Sequence, residues 1–95
     1  MTWYTIPAMS IDAEFVDLAF VGRYVDNLVE STGDTDYAIV YEWRDEGHTT
    51  WPPVAVLVRL DGRWIRRAVL ASGRKGQAHR NLDLTLGPEE DVNDH

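Results

Sequence analysis

The chain contains no cysteine. No disulfide can staple it, and no thiolate is there to act as nucleophile or metal ligand. That composition fits a reducing compartment. Histidine is scarce too. His48, His79 and His95 are far apart, with no H-x-x-x-H spacing, so the sequence holds no recognisable metal-ligand set. Ser10, Ser31 and Ser72 are not framed by a G-x-S-x-G elbow, so no hydrolase triad can be assembled by motif. Long apolar runs are also missing. The first fifteen residues lack a basic n-region, and Asp12, Glu14 and then Asp17 interrupt any apolar run. Neither a signal peptide nor a membrane span is expected, which points to a soluble cytoplasmic protein. No catalytic residue, metal or cofactor is expected, and the chain does not read as an enzyme.

What is present defines a small globular domain. Its 95 residues include 44% hydrophobic and 11% aromatic residues, enough for one thin core. The net charge of −7 is unevenly spread. Residues 1–50 carry ten acids against two bases; residues 51–86 carry two acids against seven bases; residues 87–95 carry four acids and no Lys or Arg. Such a dipolar chain either neutralises itself within one fold or offers one pole to a partner.

The stretch Val54–Leu70, VAVLVRLDGRWIRRAVL, organises the rest. Asp61-Gly62 between alternating hydrophobics predicts a two-residue type I′ hairpin, which needs positive φ at both central positions. That turn pairs Leu60 with Arg63, Val58 with Ile65 and Val56 with Arg67 on one face. Arg59 with Trp64, and Leu57 with Arg66, fall on the other. The doubled Arg66-Arg67 breaks the alternation and predicts a bulge there, returning Ala68 or Leu70 to the core and leaving the arginines outside.

Upstream, TWYTIP (residues 2–7) reads as a short edge strand closed by Pro7. A helix is expected from an N-cap at Ser10 to about Glu30. Its apolar stripe is Ile11, Phe15, Leu18, Gly22, Val25 and Val29, flanked by Val21 and Leu28. A thinner row, Val16, Phe20 and Tyr24, lies opposite and requires a neighbour: the N-terminal segment, a second copy of the chain or a target protein. Gly33 is the expected helix stop. Asp36–Trp43 reads as a strand with Tyr37, Ile39, Tyr41 and Trp43 on one face, expected to be core beneath the helix. Arg44–Pro53 is a polar loop. It holds Trp51 before two prolines, either as a cap on the core or as an interaction anchor. Residues 71–80 form a second loop, and NLDLTL (81–86) a last strand. Residues 89–95 read as an acidic, disordered tail, so the domain is expected to span 1–88. There is no internal repeat and no second domain.

The fold expected is α+β: one helix packed on a curved antiparallel sheet of four to five strands, in the order β-α-β-β-β-β. The hairpin VRLDGRWIRRAVL resembles the paired strands that recur in small cone-shaped α+β domains of the nuclear-transport-factor-2-like and cystatin-like kind. The resemblance implies the α+β class. The chain departs from the former in being short and single-helixed, and no Asp/His pair maps onto their catalytic arrangement.

Three functional expectations follow. The leading one is a small acidic intracellular protein-binding module: an inhibitor, an immunity or antitoxin-type protein, a mobile-element accessory, or a nucleic-acid mimic. Asp34, Asp36, Asp45 and Glu46 would form the acidic face, joined in the mimic by the tail, and Phe20, Tyr24 and Trp51 the apolar anchors. The second is a small-molecule-binding or enzymatic domain, with a cavity lined by Phe15, Tyr37, Tyr41 and Trp43. The third is nucleic-acid binding through Arg63, Arg66, Arg67, Arg74, Lys75 and Arg80. Homodimerisation through Val16, Phe20 and Tyr24, or through an edge strand, is compatible with each. No membrane partner is expected.

Overall fold

A computed structural model describes residues 1–9, 14–44, 52–72 and 84–92. The chain forms β1 (Thr2–Thr5), α1 (Leu18–Thr32), a 3-10 turn (Thr35–Ala38), β2 (Ile39–Arg44), β3 (Ala55–Leu60), β4 (Arg63–Ser72) and β5 (Leu84–Asp91). The five strands make one sheet in the order β1-β2-β3-β4-β5, each antiparallel to its neighbour. This is the expected architecture: one helix against a five-strand antiparallel sheet. Among the described residues no helix is long and apolar enough to cross a membrane.

The hairpin forms as its turn chemistry dictates. Asp61 and Gly62 take φ of 51° and 76°, the left-handed values a type I′ turn demands. The β3–β4 register runs unbroken from Ala55↔Ala68 to Leu60↔Arg63, with Val58 opposite Ile65 and Leu57 opposite Arg66. The expected bulge at Arg66-Arg67 is therefore displaced. Register shifts fall between Arg67 and Val69 and between Val69 and Ala71, and only against β5. The two arginines need no bulge because each finds an acceptor on its own face. Arg66 reaches Glu42 on the helix side, and Arg67 donates to the Gly87 carbonyl at 2.7 Å on the other. Leu70 is not returned to the core; it is exposed.

The helix begins later than its periodicity suggests. Phe15 exchanges backbone hydrogen bonds with Tyr4, of 2.7 and 2.9 Å, and so extends the sheet beyond β1. A residue held in that extended pairing cannot be helical. Asp17 becomes the N-cap, its carboxylate accepting from the Ala19 and Phe20 N–H groups. Ser10, the expected cap, lies outside the described residues. Gly33 ends the helix with φ 74°, donating to the Val29 carbonyl at 2.8 Å.

The core is thin, as size requires. Val21 and Val25 of α1 meet Val40, Leu57 and Trp64 of the sheet, with Ile6 closing one side. Strand alternation then fixes the faces. Val40 and Glu42 point to the helix, so Tyr41 and Trp43 point away from it. The expectation that Tyr37, Ile39, Tyr41 and Trp43 form one row beneath the helix fails for a second reason. Tyr37 sits in the 3-10 turn, before the strand begins. On the far face Tyr41 and Trp43 meet edge to face, 6.2 Å apart, and the Trp43 indole N–H donates to Thr5 Oγ1 at 2.8 Å.

Candidate functional site

The aromatic row on α1 has a neighbour within the chain. Phe15 packs on Phe20 and Tyr24, with ring centroids 5.9 and 5.2 Å apart, and Phe20 lies 6.3 Å from Tyr24. Phe20 and Val16 nonetheless stay exposed. Trp51, the third expected anchor, lies outside the described residues, as do Asp45 and Glu46 of the expected acidic face.

The arginines of β4 do not gather into one basic surface. Arg66 lies on the helix side, and Arg63 and Arg67 on the opposite side. β5 also runs three residues beyond the expected domain boundary at 88, setting Glu89 opposite Arg67, Glu90 opposite Arg66 and Asp91 opposite Ile65. Arg63 pairs with Asp91, and Arg66 lies 3.6 Å from Glu90. This part of the expected tail is thus a strand, because its acids meet a basic strand across one ladder. Of those acids, Asp91 and Glu90 are paired with arginines of the same chain. Arg74, Lys75 and Arg80 lie outside the described residues.

Arg66 also serves the interior. Glu42 is buried at 6% exposure and accepts two hydrogen bonds from Arg66, of 2.9 and 3.4 Å, and one from Arg44 at 3.3 Å. The hydrogen bond that Arg66 donates to Glu42, working against partial burial, holds the Arg66 guanidinium above its ordinary pKa. Tyr4 stands opposite Glu42 on β1, and burial, then the Glu42 charge, pushes its phenol up.

The larger of two recesses among the described residues combines apolar surface with four carboxylates. It opens between the C-terminal half of α1, the 3-10 turn and the end of the β3–β4 hairpin, with a volume of about 610 Å³. Val29, Ala38, Ile39 and Val58 line its buried and half-buried floor, and exposed Leu60 forms a lip. Asp26, Glu30, Asp36 and Asp61 stand around it. Among the described residues its one cation is Arg59. That guanidinium is held by both Asp26 carboxylate oxygens at 3.2 Å and stacks over Trp64, 5.1 Å from the ring centroid.

Of the expected acidic face, the structure brings Asp36 to this groove. Asp34 is spent locally, capping the 3-10 turn by accepting from the Asp36 N–H at 2.9 Å. Sequence reasoning missed Asp26, Glu30 and Asp61. The signal was there: Asp26 and Glu30 are four apart on one helix face, and Asp61 marks a turn tip. A second hollow of about 310 Å³, on the sheet face away from the helix, lies between Val56, Ile65 and Leu86 and shares Val58 and Leu60 with the first. Neither hollow is lined by Phe15, Tyr37, Tyr41 or Trp43. Among the described residues no group of three His, Cys, Asp or Glu could hold a metal ion.

Fold and groove together define a small α+β domain with one helix on a five-strand meander and an acid-rimmed apolar groove. Compared with known proteins, the chain matches no family model, no curated protein and no solved structure.

Proposed function

We propose that this chain is a small cytoplasmic protein-binding module that engages a basic partner, in the manner of an inhibitor, an immunity or antitoxin-type protein, or a mobile-element accessory protein. The observation that carries this reading is the internal use of the positive charge. Arg59, Arg63 and Arg66 are each paired to a carboxylate of the same chain. The surplus left on the molecule is negative, in keeping with the net charge of −7. Surplus charge of one sign steers association with an oppositely charged protein and makes it salt-dependent.

The test is affinity capture from the native lysate with the tagged chain, at low and high salt, with and without nuclease. The reading expects a basic protein that survives nuclease and is released by salt. Recovery of nucleic acid instead, or of nothing, would sink it.

A further inference from the structure

We propose that the groove between α1 and the β3–β4 turn docks a basic amphipathic helix of a partner protein; this deepens, and rests on, the protein-binding reading. The groove has the two halves such a ligand needs. Its floor of Val29, Ala38, Ile39 and Val58, with the Leu60 lip, accepts the apolar side chains of a helix at i, i+3 and i+4 spacing. Its rim of Glu30, Asp36 and Asp61 meets the lysines and arginines that flank those positions, Asp26 being already given to Arg59.

Charge complementarity selects a cationic occupant, and the arrangement of that charge selects a segment over a small amine. The carboxylates come from three separate elements: the helix, the 3-10 turn and the hairpin tip. A single ammonium satisfies one or two of them, whereas a helix presents several cations at once. The rim also displays the pairing it favours. Arg59 of this chain already lies there, forked onto Asp26 with its guanidinium plane over Trp64. A partner arginine beside Glu30 or Asp61 repeats that chemistry with its stem over Leu60.

The rim carboxylates have replacements that preserve shape. Glu30 is exposed, and Asp61 sits at φ 51°, a conformation asparagine also adopts readily. The probe is a fluorescein-labelled peptide of Leu and Lys in amphipathic helical order, with a scramble of the same composition, titrated with the full chain. The ordered peptide is expected to bind about tenfold tighter than the scramble, a difference of about 1.4 kcal/mol. Glu30→Gln with Asp61→Asn is expected to lose about that factor. Leu60→Ser is expected to erase the preference for the ordered peptide. The same charge change elsewhere, Glu14→Gln with Glu89→Gln, is expected to leave binding within about twofold, because neither residue lines the groove. Equal binding of the two peptides, no binding of either, or groove variants that bind like wild type would each overturn the proposal. Self-association of the chain lost in the Leu60→Ser variant would also overturn it, since the occupant would then be a second copy. Repeating the lysate capture with the Glu30→Gln/Asp61→Asn variant separates the two claims. A basic partner retained by that variant overturns the groove alone, whereas no basic partner for wild type overturns the module reading.

Discussion

Glu42 of β2 and Arg66 of β4 are joined across the intervening strand by hydrogen bonds of 2.9 and 3.4 Å. Glu42 stands opposite Ala55 of β3, whose fully buried methyl group leaves the space the pair crosses. Removing one partner strands the other. Arg66→Leu is expected to cost about 3 kcal/mol, the low end for a broken buried pair, because the Arg66 side chain keeps 21% exposure and Arg44 stays beside Glu42. Replacing both, Glu42→Leu with Arg66→Leu, is expected to restore stability to within about 1 kcal/mol of wild type, since apolar pairs of like volume substitute well. Urea unfolding of the two variants decides it. Equal losses in the single and double variants would mean that the pair's charge is irrelevant.

The same pair explains what could be read in the sequence. Asp61-Gly62 carried the hairpin and its register, because a type I′ turn is a local backbone requirement met by those two residues. Gly33 carried the helix stop for the same kind of reason. Arg66-Arg67 misled, because a doubled arginine looks like a break in alternation. Whether it is one depends on partners 24 residues upstream and 20 downstream, Glu42 and Gly87. The helix start misled in the same way. Nothing local marks Phe15 as the residue that pairs with Tyr4. The groove joins the helix and the 3-10 turn to a hairpin tip remote from them in sequence, so only Asp36, already set apart by its neighbouring acids, was visible beforehand.

Gly22 and Arg59 are coupled. A methyl group at position 22 would lie 3.0 Å from the Arg59 guanidinium carbon, tighter than nine in ten such contacts. Arg59 must give by a few tenths of an ångström, and Asp26 and Trp64 both hold it in place. Gly22→Ala should therefore fail to deliver the gain of about 1 kcal/mol that alanine gives over glycine in a helix. In an Arg59→Ala background the gain should appear. A double-mutant cycle by chemical denaturation measures the coupling, expected at about 1 kcal/mol or more. Strict additivity would show that the guanidinium moves aside freely.

Alkaline pH is expected to destabilise the fold through Tyr4 and Tyr41. Burial raises both phenols above the ordinary value of 10.0, with the Glu42 charge adding to Tyr4. Between the unfolded and folded values the native state holds the protons that the unfolded chain has released, so stability falls as pH rises. The contribution is fully present below pH 10.0 and is lost as pH climbs through the raised folded values. Ultraviolet titration of the four tyrosines should show a late-ionising fraction that Tyr4→Phe with Tyr41→Phe removes. The urea midpoint of that double variant should fall less steeply above pH 10 than that of wild type. Matching slopes would contradict the burial argument.

Asp17 supplies the helix with its first acceptor, taking hydrogen bonds from Ala19 N–H at 2.9 Å and Phe20 N–H at 3.3 Å. Asp17→Ala is expected to cost about 1 kcal/mol, and Asp17→Asn or Asp17→Ser much less, because each still offers an oxygen to those donors. Thermal unfolding of the three variants makes the comparison. An alanine variant as stable as the asparagine one would place the start of the helix elsewhere.

The acids of β5 are expected to silence the arginines of β4. Glu89, Glu90 and Asp91 run beside Arg67, Arg66 and Arg63, and a phosphate backbone would have to displace them to reach those guanidinium groups. Glu89→Gln, Glu90→Gln and Asp91→Asn together keep the strand's shape and remove three charges. Exposed ion pairs are each worth about 0.2–1 kcal/mol, so the triple variant should lose about 1–2 kcal/mol of stability and remain folded. Its affinity for duplex DNA at low salt should rise well above that of wild type, and added salt should abolish the gain, because released counterions drive such binding. Arg66 stays bound to Glu42 in that variant, so the gain must come through Arg63 and Arg67. Arg63→Ala with Arg67→Ala on the triple background should therefore remove it. Wild-type protein that binds DNA as tightly as the triple variant would mean that the ladder neutralises nothing, and the case for a surplus of negative charge would fall with it.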